Sequence, residues 1–242
     1  MKTYCLEVTG NFACFTRPEM KVERVSYDVM TPSAARAVFE SILWKPAIRW
    51  HVIKIEVLNP IKWISVRRNE VGMVAIIDKG GIFSDDANVR QQRAGLFLRD
   101  VAYRIYAHFE LRDPGFHKSN YPYLSKRKIN EGEDDLVALP NNNAAKFMSM
   151  FERRAQKGQC VNQPYLGCRE FAADFRLVED FATMQPAAIA ETRDLGWMLY
   201  DLDYSNGNDP TPHFFNARLL NGELVGKEID RLPAWGSDEV RG

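Results

Sequence analysis

Thr31 to Leu58, TPSAARAVFESILWKPAIRWHVIKIEVL, decides the fold, because a helix signal and a strand signal meet within it. Thr31 is a capping residue, and Pro32 stands where the first helical residue belongs. From Ser33 to Trp44 the apolar residues Ala34, Ala37, Val38 and Ile42 recur at helical spacing, and Pro46 ends the run. The following IRWHVIKIEVL is rich in β-branched and aromatic residues and reads as a strand.

Working outward, TYCLEV ahead of this stretch reads as a short strand that ends at Gly10. Behind it Asn59-Pro60 turns the chain, and IKWISVRR reads as a returning strand. Asp78 to Asn88, with Gly80-Gly81 and Asp85-Asp86, reads as a loop. In VAYRIYAHFEL the residues Val101, Tyr103, Ile105, Ala107, Phe109 and Leu111 alternate, which predicts a long, half-buried antiparallel strand. A polar connection fills residues 112–143. A second helix is predicted from Ala144 to Lys157, with Gly158 as its C-terminal cap. REFAADFRL is a strand, and further strands follow between Gly196 and Gly226. Among these, Asn221-Gly222 is a two-residue hairpin signal. Strand–helix–strand–strand–helix–strand is the split βαβ order, so the expected fold is α+β: a ferredoxin-like, RNA-recognition-like body over residues 1–177, with a C-terminal antiparallel β extension over 178–242.

Composition fits this reading. The 242 residues are 45% hydrophobic and 26% charged, ordinary for a globular protein. Cys5, Cys14, Cys160 and Cys168 lack metal-site spacing and read as reduced, part-buried thiols. The N-terminus has no apolar h-region and no apolar run reaches membrane length, so the expected location is the cytoplasm, with no membrane partner. The net charge is zero, yet its distribution is uneven. Residues 1–169 hold 26 Lys/Arg against 18 Asp/Glu, and residues 170–242 hold 6 against 14. A basic body with an acidic appendage is one reading, and two unevenly charged solvated surfaces is the other. A neutral total does not exclude phosphate binding, which depends on the local patch.

Motif chemistry is sparse. His51, His108, His117 and His213 lie far apart with no HxH, HExxH or CxxC grouping, so neither a metal site nor a cofactor is expected. Asp201 and Asp203 could hold a hard cation from one face of a strand, but such a pair is more simply a solvated face. Basic and aromatic residues, by contrast, cluster repeatedly. Trp44 and Lys45 close the first helix; Lys62, Trp63, Arg67 and Arg68 lie on the returning strand. Tyr121, Tyr123, Lys126, Arg127 and Lys128 sit in the long connection, and Lys146, Arg153, Arg154 and Lys157 share the second helix. Aromatic faces stack unpaired bases while Lys and Arg neutralise phosphates, which suits RNA hairpins and single strands. Each cluster alone also reads as solvated surface.

GNFACFTRPEMKVERVSYDVMTPSAARAVFESILWKPAIRW, IKWISVRRNEV, AHFEL, KFMSMFERRAQKGQC and PYLGCREFAADF together resemble the fifth CRISPR-associated protein family, in its subtype I-C variant. The resemblance covers most of residues 4–177. It implies binding to the repeat hairpin of precursor CRISPR RNA and, in this subtype, metal-independent cleavage of it. The protein would then stay with other subunits of the type I-C interference complex. The same basic patch would also hold duplex DNA weakly and without sequence preference.

The implied cleavage is attack of a ribose 2′-OH on the adjacent phosphate, leaving a 2′,3′-cyclic phosphate and a 5′-OH. It needs a proton acceptor, a cation at the phosphorane and a donor to the leaving oxygen. The family carries a Tyr just before Trp-Lys-Pro and a Lys-His pair opening the second helix. Here Lys146 matches the Lys, but the Tyr position reads Leu43 and the His position reads Phe147. Three readings stay open. Lys146 acts with substitutes such as His117, Tyr121 or Tyr123; the chain binds without cutting; or the register at the second helix differs.

Overall fold

The computed structural model describes residues 2–72, 90–111, 143–181, 184–203 and 210–226. Among these residues eight strands and two α-helices run in the order β1 (Tyr4–Ala13), α1 (Pro32–Ile42), β2 (Ile48–Val57), β3 (Lys62–Val71), β4 (Arg90–Leu111), α2 (Ala144–Gln156), β5 (Asp174–Val178), β6 (Arg193–Asp203), β7 (Thr211–Leu220) and β8 (Glu223–Gly226). They form one sheet in the order β5-β1-β4-β2-β8-β7-β6, with β3 paired to β4 beside this path. Every strand pairing in it is antiparallel. Helix α1 carries the chain from β1 to β2 with β4 lying between them. Helix α2 carries it from β4 to β5 with β1 between. These two interleaved crossovers are the split βαβ arrangement expected for the body.

Each element has a local cause. Thr31 Oγ1 accepts the Ala34 N–H at 3.3 Å, and Pro32 begins α1. The buried stripe of α1 is Pro32, Ala35, Val38, Phe39 and Ile42, so Ala37, expected inward, is exposed. The helix stops two residues before Trp44 because Leu43 turns to an extended backbone. Its inner face meets Trp50 of β2, whose ring lies 4.9 Å from Phe39, 4.8 Å from Phe151, 5.2 Å from Phe109 and 6.1 Å from Tyr4. Burying a ring of this size stabilises by about 1.5–3 kcal/mol, and this aromatic knot locks both helices to the sheet.

Strand β1 runs past Gly10 to Ala13, because Gly10, Phe12 and Ala13 pair with Val101, Arg99 and Leu98. Gly10 is a point of close approach, since a Cβ there would strike Leu166. Strand β4 is twice the expected length. Its first half pairs with β3 and, at Leu98 and Arg99, also with β1; its second half pairs with β1 and β2, and Asp100, where φ is 52°, lies at the junction. That second half is buried on both faces: Ala102, Arg104 and Tyr106 are buried on one, and Tyr103 and Ile105 on the other. The chain after β5 covers the second face, with Pro186 C=O accepting from Arg104 and Ile189 N–H donating to Val57. At the C-terminal hairpin Asn221 and Gly222 both take positive φ, 48° and 77°, as the turn between β7 and β8 demands.

Strands β6 to β8 continue the sheet from β2 and bring β6 against α1. There Asp201 forms an ion pair with Arg36 of α1, so the carboxylate is buried at an inter-element contact rather than solvated. The four cysteines are free thiols, with Cys5 and Cys14 buried. The predicted loop 78–88 lies outside the described residues. No helix among the described residues is long and apolar enough to cross a membrane.

Candidate nucleic-acid interface

Asn143 caps α2, its Oδ1 accepting the Lys146 N–H at 2.8 Å. Lys146 is therefore the third residue of the helix and is exposed at its N-terminus, where free N–H groups and the helix dipole favour an anion. Its Nζ stands 5.9 Å from the centroid of the Phe147 ring. Phe147 itself points inward and is a core residue, packed on the same face as Phe151 and Ala155. Leu43 is likewise fully buried, and its carbonyl accepts Trp50 Nε1–H at 2.9 Å. The two positions where the resemblance looked for proton-transferring groups are thus part of the hydrophobic interior.

Along α2, Arg153 and Lys157 are exposed, whereas Arg154 is half-buried and donates from Nη1 to the Ile42 carbonyl at 2.9 Å. That bond ties the last turn of α2 to the end of α1, two residues before the half-buried Trp44 and Lys45. The second helix and the close of the first are thereby brought into one neighbourhood. Arg67 and Arg68 lie on β3, which pairs with β4 alone. Arg67 is exposed. Arg68 faces the other way, stacks over Phe97 with its guanidinium carbon 5.0 Å from the ring centroid, and pairs with Glu70 and Glu170. Arg24 joins the same pair of carboxylates, both at 3.5 Å, so Arg68 holds a structural network together. His117, Tyr121, Tyr123, Lys126, Arg127 and Lys128 lie outside the described residues.

One cluster escaped the sequence reading. His51 and His108, 57 residues apart, are directly opposite each other on β2 and β4, and their rings stack at 5.3 Å with 17° between planes. Arg49 and Glu110 form the next opposed pair on the same face. Glu110 reaches both rings, with Oε2 3.3 Å from His51 Nε2 and Oε1 3.9 Å from His108 Nε2. Burial lowers the His51 pKa below its usual value; Glu110 opposes this, and the charges of Arg49 and His108 add to it. The histidines looked scattered because only strand pairing brings them together. The one signal in the sequence was strand alternation, which sets Trp50 and Phe109 inward and the histidine beside each outward. Among the described residues no group of three or more His, Cys, Asp or Glu side chains is arranged to hold a metal ion.

Over residues 3–224 the sequence matches the family described as CRISPR-associated protein (Cas_Cas5). The chain belongs to the Cas5 family. Two curated relatives carry the name CRISPR pre-crRNA endoribonuclease Cas5d. The one from Mannheimia succiniciproducens is 46% identical over 98% of this chain and 97% of its own length. The one from Thermus thermophilus is 40% identical over 91% of this chain and 82% of its own. A solved structure described as that of a CRISPR-associated protein superposes with a TM-score of 0.63 at 22% identity, covering 95% of this chain and 94% of the other, and it supports the fold alone.

Proposed function

We propose that this Cas5-family chain is an endoribonuclease that binds precursor CRISPR RNA and cuts it at the repeat hairpin. The nucleophile is a ribose 2′-OH, and no metal takes part. The protein works in the cytoplasm and stays with the RNA as a subunit of a type I-C interference complex. The observation that carries this reading is near full-length identity of 46% and 40% to relatives named for that activity. The exposed Lys146 at a helix N-terminus, with Arg153 and Lys157 along the same helix, supports phosphate binding at α2. Residues 1–177 act as the RNA-holding body and 178–242, with its acidic balance, as the partner-facing part. The test is incubation with hairpin repeat RNA in EDTA, followed by end-group analysis. A 2′,3′-cyclic phosphate and a 5′-OH are expected, and uncut RNA overturns the catalytic reading.

A second reading has a specific observation in its favour. Leu43 and Phe147 are both core residues, and neither can transfer a proton. On that reading the chain is a non-catalytic CRISPR RNA-binding subunit, which binds the hairpin in the same experiment and leaves it whole.

A further inference from the structure

We propose that Cys14 and Cys168 are a redox-active thiol pair, which a peroxide joins into a reversible disulfide that staples the end of β1 to the connection between α2 and β5. It does not depend on whether the chain cuts RNA. The two cysteines are 154 residues apart in sequence, and the fold brings them together. Cys14 follows the last residue of β1, and Cys168 lies in the connection from α2 to β5. The Cys14 N–H donates to the Leu166 carbonyl at 3.0 Å. Gly167, at φ 82°, passes so close to the Cys14 carbonyl that a Cβ there would strike it. Cys168 Sγ is 3.7 Å from that same carbonyl oxygen. Both thiols meet one hydroxyl: Thr16 Oγ1 is 3.4 Å from Cys14 Sγ and 3.9 Å from Cys168 Sγ. They also hydrogen-bond to each other. Backbones this close are what a disulfide needs, since its two Cα atoms stand about 4.4–6.8 Å apart.

The two thiols have different parts. Cys168 is half-buried between the exposed Gly167 and Arg169, within reach of a small oxidant, whereas Cys14 is fully buried. The hydrogen bond from Cys14 lowers the Cys168 pKa; burial opposes it, and the Thr16 hydroxyl and the Arg24 charge lower it further. The same hydrogen bond and burial raise the pKa of Cys14. Cys168 is therefore the nucleophilic thiolate and Cys14 the resolving thiol. Cys168 Sγ attacks one oxygen of hydrogen peroxide, the O–O bond breaks, and the departing hydroxide takes a proton to become water. Cys14 Sγ then attacks the Cys168 sulfenic acid; the S–S bond forms as the S–OH bond breaks, and the Cys14 proton leaves with the hydroxide as a second water. Two thiols are oxidised by two electrons and one peroxide is reduced. A dithiol reverses the step by exchange. The other two cysteines are controls. Burial pushes the Cys5 thiol up to about 12, and Cys160 is half-buried like Cys168. The bond closes a loop that holds both helices, and it lies next to Glu170, which already pairs with Arg24 and Arg68. Cross-linking so long a loop restricts the unfolded chain, so the oxidised protein resists unfolding better than the reduced one.

The test treats the reduced full chain with hydrogen peroxide, blocks the remaining thiols with iodoacetamide and maps the digest by mass spectrometry. A Cys14–Cys168 linked peptide is expected within one chain, with the native thiol count lowered by two and restored by dithiothreitol. The urea midpoint should rise on oxidation and return on reduction. In the untreated protein at pH 7, iodoacetamide should modify Cys168 ~10-fold or more faster than Cys160, because thiolate character and not exposure alone sets the rate. Cys168→Ser should form no disulfide, and Cys14→Ser should leave Cys168 as a sulfenic acid that dimedone traps. The mapping is made on wild type, so it decides the matter even where a variant fails to fold. Peroxide that leaves all four thiols intact, a bond that joins other cysteines or two chains, or Cys160 reacting ahead of Cys168 would overturn the pair. A linked protein with an unchanged urea midpoint would show that the bond staples nothing.

Discussion

Lys146 and Phe147 are neighbours in sequence with opposite fates, one exposed at a helix N-terminus and the other in the core. If the scissile phosphate sits at that terminus, Lys146→Ala should slow single-turnover cleavage by ~100-fold or more, the usual loss when one donor to developing charge is removed. RNA affinity should hardly change. Cleavage at full speed would move the phosphate away from α2. Restoring the family's histidine is a different matter. Phe147→His places an imidazole among Phe151, Ala155 and the sheet, and it should cost about 2–3 kcal/mol in denaturant unfolding rather than add activity. An equally stable Phe147→His protein that cleaves faster would show that this ring can turn outward. The sequence told which residue types occupy these positions. It could not tell that Leu43 points inward, because that depends on where Trp50 of β2 packs.

Helix α2 depends on its cap and its packing on α1. Asn143→Ala removes the acceptor for the Lys146 N–H and should cost about 1 kcal/mol by chemical denaturation. An unchanged midpoint would mean that solvent replaces the cap without loss. Arg153 and Arg154, adjacent in sequence, are not equivalent probes of RNA binding, since Arg154 also holds the Ile42 carbonyl. Arg153→Glu is the cleaner variant. It should lower the slope of log affinity against log salt by about 0.7–0.9 for each phosphate that the side chain no longer neutralises, leaving the unfolding midpoint nearly unchanged. A slope equal to wild type would put the RNA on another face. At this scale much was legible: both helices, the strand Ile48–Val57 and the Asn221-Gly222 turn follow from capping, periodicity and turn chemistry. The length of β4 was not, because it turns on the left-handed Asp100, a position that gives no glycine signal. Nor was the link from Arg154 to α1, since a side chain of either fate reads as a helical arginine.

Across the whole molecule, one row of charges joins five strands: Arg176 of β5, Glu7 of β1, Arg104 of β4, Glu56 of β2 and Glu223 of β8 are paired in register. Arg104 is only 3% exposed and bridges Glu7 at 2.9 Å and Glu56 at 3.0 Å. Glu56 and Glu223, like charges placed opposite each other, are reconciled by Lys54 at 2.7 and 3.2 Å. No periodicity could have announced this row, because its members come from segments more than 200 residues apart at the extremes. Burial alone would raise the pKa of Glu7 and of Glu56. For Glu7 the hydrogen bonds from Arg104 and Arg176 outweigh it, and for Glu56 those from Lys54 and Arg104 do, so both are held below the usual 4.5. A carboxylate whose folded pKa is depressed contributes stability that is present above its unfolded value and lost as pH falls through the folded one. His51 adds in the same direction over a higher range: its folded pKa is also lowered, so the unfolded chain takes up that proton first, from about pH 6.5 downward. Stability should therefore decline in two stages on acidification, a shallow one below about pH 6.5 and a steeper one below about 4.5. Arg104→Met separates them. It leaves two buried carboxylates without their shared cation, which should cost about 3–5 kcal/mol at neutral pH and raise the carboxylate pKa values. With the carboxylate linkage reduced, the steeper stage should flatten in Arg104→Met, while the shallow stage owed to His51 stays. The check is urea unfolding from pH 7 to pH 3 on wild type and Arg104→Met, and parallel stability curves for the two proteins would remove the charge row from the account of acid sensitivity.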